Sequence, residues 1–203
     1  MIITKIEPQK NKDRVNIYID DKFAFGITKE IQYKYNLAEN MEIDEKYIEK
    51  VLIEEEQSKC NNFALRFLGY RQRSEKEIVD RLQKKGFKPY IIDNTLDYLK
   101  DYGLINDLEF ARSFMRDKIH INKHGPKRIR YDLYKKGISQ AIIDKVLDED
   151  DGEYDRALKL AQKKLPSYRE DNRAARYRKL GGFLQRRGYS ADCIYRVLNK
   201  LIK

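Results

Sequence analysis

Three stretches decide the fold: Leu82-Gln-Lys-Lys-Gly86-Phe87, Leu133-Tyr-Lys-Lys-Gly137-Ile138 and Leu184-Gln-Arg-Arg-Gly188-Tyr189. Their glycines are spaced by 51 residues in both intervals. The register also holds outward. Ile78, Ile129 and Leu180 stand eight residues before the glycine, Ile92, Ile143 and Ile194 six after it, and Leu96, Leu147 and Leu198 ten after it. Three copies of one supersecondary unit account for this pattern.

Each copy has a physical reading. The apolar positions before the glycine share one helix face and those after it share the face of a second helix, so the glycine punctuates two helices. Lacking a Cβ, it takes the left-handed conformation that ends a helix, and the basic pair before it faces the negative end of the helix dipole. Ser139 and Ser190 stand where the following helix needs an N-cap, and Pro89 suits the first helical position. Upstream, Ser74 with Glu77 forms a capping box and Gly125-Pro126 a cap with proline at N1, whereas Arg176 has no capping chemistry. The middle helix of the third copy is therefore expected to start near Asn172. A further amphipathic segment precedes each pair, at residues 59–70, 107–121 and 153–165, which makes the unit a three-helix bundle of about fifty residues.

Ahead of the repeats the period changes to two. Val15, Ile17 and Ile19 fall on one face, Phe23-Ala-Phe25-Gly-Ile27 follows, and Asp20-Asp21-Lys22 supplies a turn. Ile2, Ile3 and Ile6 offer a third strand, and residues 45–57 read as an acidic helix leading into the first copy. The expected fold is mainly α: three tandem three-helix bundles in an elongated curved array behind a small β-hairpin segment. The boundaries are 1–57 for the hairpin and acidic helix, then 58–103, 104–150 and 151–203 for the three repeats.

Composition agrees with thin modules. Of the 203 residues, 41% are hydrophobic and 37% charged, against roughly 25% charged in an average domain. No window approaches the ~18 apolar residues of a membrane span, and residues 1–12 lack a signal peptide's apolar stretch, so a cytoplasmic protein with no membrane partner is expected. Cys60 and Cys193 belong to no CxxC pair and read as small apolar fillers. The net charge of +10 is unevenly placed: −3 over residues 1–60, +1 over 61–110, +3 over 111–152 and +9 over 153–203. Such a gradient points to a polyanion or an acidic protein surface as partner.

Catalytic constellations are absent. The sequence contains no GxGxxG, P-loop, HExxH or GxSxG motif. His120 and His124 are four apart but lack a third ligand, and the acids 148–151 lie at a helix end where solvated carboxylates are usual. No cofactor and no metal are expected. The cations carry the binding chemistry instead: Lys84, Lys85, Lys127, Arg128, Arg130, Lys135 and Lys136, with Arg173, Arg176, Arg178, Lys179, Arg186 and Arg187 in the most basic copy. Only Asp132 interrupts the run from Lys127 to Lys136, which favours a surface that tracks phosphates over solvated Lys/Glu alternation. Helix-dipole complementarity accounts for one residue of each basic pair. Some of the 15 tyrosines are placed to stack on bases, while most at helical spacing belong to core or boundary.

These residues resemble the RecX family. The resemblance rests on Arg73-Ser-Glu-x-Glu77-Ile78, the Lys-Lys-Gly-Phe87 turn, Leu104-Ile-Asn-Asp107 followed by Glu109-Phe-Ala111, Arg178-Lys-Leu180 and Phe183-Leu-Gln-Arg-Arg-Gly-Tyr-Ser190. Phe23-Ala-Phe25-Gly26 is similar to the N-terminal segment of longer members. Asp21 stands where glycine is usual and Asn106 where an acid is common. The resemblance covers nearly the whole chain. It implies a non-enzymatic regulator, most often an inhibitor, of the bacterial RecA recombinase; a monomer is expected. Such a protein binds the RecA filament on single-stranded DNA and modulates its ATPase, strand exchange and co-protease activities, with consequences for recombination, DNA repair and the SOS response. The DNA partner is expected to be single-stranded, or duplex without sequence preference; the alternative to this reading is a free-standing tandem helix-turn-helix module that reads duplex DNA. The helices after the glycines are poor in Arg, Gln and Asn base readers, which counts against sequence-specific reading of a duplex.

Overall fold

The N-terminal strands fold as their alternation dictates. In this computed structural model, which describes residues 1–169 and 171–202, β1 (Ile3–Pro8), β2 (Arg14–Ile19) and β3 (Lys22–Thr28) form an antiparallel sheet in the order β1-β2-β3. Asp20 (φ 47°) and Asp21 (φ 61°) make the two-residue turn, a left-handed pair that aspartate tolerates. A register shift beside Ile17 and Tyr18 breaks the strict alternation of β3. Phe25 therefore packs inward, while Phe23 stays exposed at 59% and meets Tyr18 edge-on at 5.9 Å.

Thr28 caps the short helix α1 (Lys29–Lys34), and Asp44 caps α2 (Glu45–Leu68), accepting from the Tyr47 N–H at 2.7 Å. The acidic segment and the first helix of copy one, read separately in the sequence, are thus one helix of 24 residues. No glycine or proline falls between them, so nothing stops propagation. The buried Glu55 of α2 holds the sheet to the helix. It pairs with Arg14 at 2.8 Å and Lys59 at 3.1 Å, and accepts from the Thr28 N–H at 2.9 Å. Around it Ile3, Val15, Ile17, Ile27, Ile31 and Val51 form the core.

Copy one consists of the second half of α2, α3 (Glu75–Gln83) and α4 (Pro89–Asp101), with α2 packed on α4. Copy two is α5 (Asp107–His120), α6 (Pro126–Lys135) and α7 (Gln140–Asp148). Copy three is α8 (Glu153–Lys164), a 3-10 turn (Leu165–Tyr168), α9 (Arg173–Arg186) and α10 (Ala191–Leu201). As the capping chemistry required, α9 starts at Asn172, whose side chain accepts from the Ala175 N–H at 2.8 Å. The chain forms two compact units, residues 1–70 with 80–102 and residues 71–79 with 103–203.

The glycine turns are the same structure three times. Gly86, Gly137 and Gly188 have φ of 86°, 81° and 87°. Each donates its N–H three residues back, to Gln83, Tyr134 or Gln185, and the next residue donates five back, to Leu82, Leu133 or Leu184. These two hydrogen bonds satisfy carbonyls of the last helical turn. The apolar positions of the repeat are buried as expected, each isoleucine or leucine contributing about 1.5–3 kcal/mol, except that Ile194 of copy three is only partly buried.

Candidate nucleic-acid interface

Within the second unit the copies are joined through these turns. The Ser74 hydroxyl, at the start of α3, donates to the Lys136 carbonyl at 2.7 Å. Fifty-one residues later the Gly125 N–H donates to the Arg187 carbonyl at 2.9 Å, and the Lys127 N–H donates to the Gly188 carbonyl at the same distance. Each middle-helix start therefore sits on the glycine turn of the next copy. The fit needs glycine: a Cβ at Gly188 would lie 2.4 Å from the Arg128 backbone nitrogen, and one at Gly137 would lie 2.5 Å from Lys76 Cβ.

Electrostatics reinforce the first junction. Glu77 closes a capping box with Ser74 and also pairs with Arg71 at 2.9 Å and Lys136 at 2.5 Å. Burial by itself would raise its carboxyl, but the hydrogen bonds from Arg71 and Lys136 outweigh that and hold it down at about 2.

The second junction positions a groove. By seating α6 on the turn after α9, it carries Lys127 to a cleft of about 460 Å³ walled by Tyr177, Arg178 and Gln185 of α9 and by Ile194 and Tyr195 of α10. Gly181 lies in this cleft at the position that Arg130 occupies in copy two, and a Cβ there would approach Leu198 at 3.2 Å. Tyr195 is 60% exposed. Two cations and two tyrosines on one cleft can hold phosphates and stack bases together.

The sequence-predicted cations divide by what they touch. Lys84, Lys127, Arg173, Arg178 and Arg186 are exposed and have no ion-pair partner among the described residues. Lys85 lies over the Phe63 ring and Lys135 over Tyr131. Arg130 pairs with Asp144, Lys136 with Glu77, Lys179 with Asp171 and Arg128 with Asp132. Arg176 donates to the carbonyls of Asp171 and Arg169, and Arg187 to that of Asn122. Lys84 and Lys85 belong to the first unit, the others to the second.

A cationic cleft was not singled out in the sequence. His120 at the end of α5, Lys123 just beyond it, and Arg156, Lys159 and Lys163 on α8 surround about 510 Å³, with Asp155 as the acid in the lining. The four-residue spacing of Lys159 and Lys163 was its only local signal. Arg156 is held by Asp150 in a mostly buried pair. His124 stays below its ordinary pKa because it is buried and close to Lys118, and Asp132 lies 3.9 Å from its Nδ1. Among the described residues no three His, Cys, Asp or Glu side chains gather as a metal site requires. No described helix is long and apolar enough to cross a membrane.

Fold and surface together define a tandem three-helix repeat protein with a cationic, tyrosine-lined cleft on its last copy. Known proteins share this organisation. Residues 1–44 match the regulatory protein RecX N-terminal domain, and residues 60–99, 106–147 and 151–198 match the first, second and third three-helix domains of RecX. Regulatory protein RecX of Clostridioides difficile is 39% identical, covering 99% of this chain and 96% of its own length, and that of Clostridium tetani is 37% identical over 98% and 94%. A crystal structure of regulatory protein RecX superposes with a TM-score of 0.80 at 32% identity over 98% of both chains. RecX from Lactobacillus salivarius gives 0.69 at 30% identity, over 72% of this chain and 96% of its own. The chain belongs to the RecX family of regulatory proteins.

Proposed function

We propose that this chain regulates the RecA recombinase, as an inhibitor that binds the RecA filament on single-stranded DNA and lowers its ATPase, strand-exchange and co-protease activities. The observation that carries the reading is the cleft of copy three, where Lys127 and Arg178 are exposed without ion-pair partners beside Tyr177 and Tyr195. Exposed cations release counterions from phosphate at little cost in lost ion pairs, and tyrosines accept any base face, so binding is sequence-tolerant. On this reading the protein is a cytoplasmic monomer without catalytic activity, Arg173 and Arg186 extend the phosphate contacts of the second unit, and Lys84 offers one on the first.

The alternative of a free-standing duplex reader is disfavoured by the helices that follow the glycines. Beyond the residues they bury (Ile92, Leu96, Ile143, Leu147, Cys193 and Val197), α4, α7 and α10 offer few Arg, Gln or Asn side chains to reach base edges. The test is RecA ATPase on single-stranded DNA with and without a stoichiometric amount of this protein. A fall in hydrolysis supports the reading. Unchanged hydrolysis together with salt-sensitive DNA binding transfers it to the free-standing binder.

A further inference from the structure

We propose that α2 carries a docking groove for a cationic amphipathic helix of a partner protein, separate from the cationic cleft of copy three. Glu45, Ile48, Glu49, Leu52, Ile53 and Glu56 recur at three- and four-residue intervals and so form one stripe along the outer face of α2. With Met1 and Tyr90 beside it, the stripe bounds a groove of about 370 Å³. Leu52 and Ile53 are each 40% exposed and Tyr90 44%, although Val51, Cys60 and Ala64 of the same helix are buried. Leu52 and Ile53 are thus left over after the core of the first unit is complete, while Ile48 of the same stripe packs partly against that core.

The rim decides the occupant. Glu45, Glu49 and Glu56 have no ion-pair partner among the described residues, in a chain with 43 Lys+Arg, and Lys88 is the one cation lining the groove. Three free carboxylates around exposed leucine and isoleucine repel nucleic acid and anionic lipid. They complement a helix that presents aliphatic side chains at i, i+3, i+4 and i+7 between lysines or arginines. The apolar contacts supply the affinity, and the carboxylates select against acidic helices and set the orientation.

The test uses the full-length chain and two labelled peptides of about 18 residues with leucine at i, i+3, i+4 and i+7, one filled with lysine and the other with glutamate. Fluorescence anisotropy should give saturable, salt-sensitive binding of the lysine peptide and none of the glutamate peptide. Leu52→Ser with Ile53→Ser should weaken the lysine peptide about tenfold or more. Glu45→Gln, Glu49→Gln and Glu56→Gln together disturb no buried contact, so they should weaken binding and flatten its salt dependence while thermal melting stays unchanged. Single-stranded DNA affinity should be the same in all variants, which separates failure here from failure of the DNA reading. Equal binding of the two peptides, or full binding by either variant, would overturn the proposal. So would self-association of the chain alone that disappears in the Leu52→Ser/Ile53→Ser variant, since the occupant would then be a second copy.

Discussion

The N–H of Gly125 donates to the carbonyl of Arg187 at 2.9 Å, joining the start of one copy's middle helix to the closing turn of the next through main-chain atoms alone. The Ser74 hydroxyl reaches the Lys136 carbonyl at the equivalent place, so the junction keeps its acceptor while its donor changes from side chain to backbone.

The three repeat glycines should differ in cost when changed to alanine. Gly86 has positive φ and open space around the built Cβ, so Gly86→Ala should lose about 1 kcal/mol. At Gly188 the same backbone strain adds to a collision with the Arg128 main chain, and the loss should reach about 3 kcal/mol. Gly137, which meets the side chain of Lys76, should fall between. Urea unfolding of the three variants checks the order, and equal losses would refute the seating of α6 on Gly188.

Glu77 makes the first junction pH-sensitive. Its folded pKa, about 2, lies below the ordinary carboxylate value of 4.5. Its stabilisation is therefore present above about pH 4.5 and is lost as pH falls toward 2. Glu77→Gln should cost roughly 2 kcal/mol at pH 7. The gap from the parent protein should close progressively between pH 4.5 and 2, read from urea midpoints at several pH values.

Cations should separate by partner. Lys127→Ala, Arg178→Ala and Arg186→Ala together should weaken single-stranded DNA binding and lower the slope of log K against log salt by about 2, at about 0.7 per phosphate contact. Melting should hardly change. Arg130→Ala or Lys136→Ala, which break ion pairs with Asp144 and Glu77, should lower stability more than DNA affinity. Titrations at several salt concentrations alongside melting curves check both halves.

Glu55 should be the most sensitive surface-helix acid. It is 2% exposed and shared by Arg14, Lys59 and the Thr28 N–H. Glu55→Ala leaves Arg14 with the Gly26 carbonyl but no carboxylate and removes the acceptor of the Thr28 N–H, so it should cost about 3 kcal/mol, measured by thermal unfolding.

Both cysteines should be silent in the folded protein. Burial raises the thiol of Cys60, and it pushes that of Cys193 up to about 11. Neither should react with a thiol reagent at pH 8 until urea unfolds the chain. Fast labelling of native protein would contradict the packing described for α2 and α10.

The parts that are local in sequence were legible there. Gly86, Gly137 and Gly188, the Ser74–Glu77 capping box and the cap at Asn172 each draw on atoms within five residues, so spacing alone predicts them. What could not be read depends on distant neighbours. Glu77 and Lys136 lie 59 positions apart, and nothing near Lys136 signals that an acid already holds it. Arg130 and Arg187 likewise looked free in the sequence, yet they are engaged by Asp144 and Asn122. Glu55 is one acid among several on the acidic helix the sequence predicts, with no local sign that the sheet buries it. The groove beside Gly181 was invisible because it arises from a side chain that is missing.

The junction chemistry also gives the row a sense of direction. Each of the first two copies offers a donor at its middle-helix start, each of the last two offers a carbonyl at its glycine turn, and the two ends cannot exchange roles. In copy three the corresponding start is redrawn: α9 begins a turn earlier, and Arg176 is turned back onto Asp171 and Arg169. That start no longer offers a donor of the same form, so the register of a single helix sets copy three apart from the first two. Where the donor is the Gly125 N–H the contact runs from main chain to main chain, so exposed side chains around that seat can vary without breaking it, whereas the first junction fixes the identities of Ser74, Glu77 and Lys136.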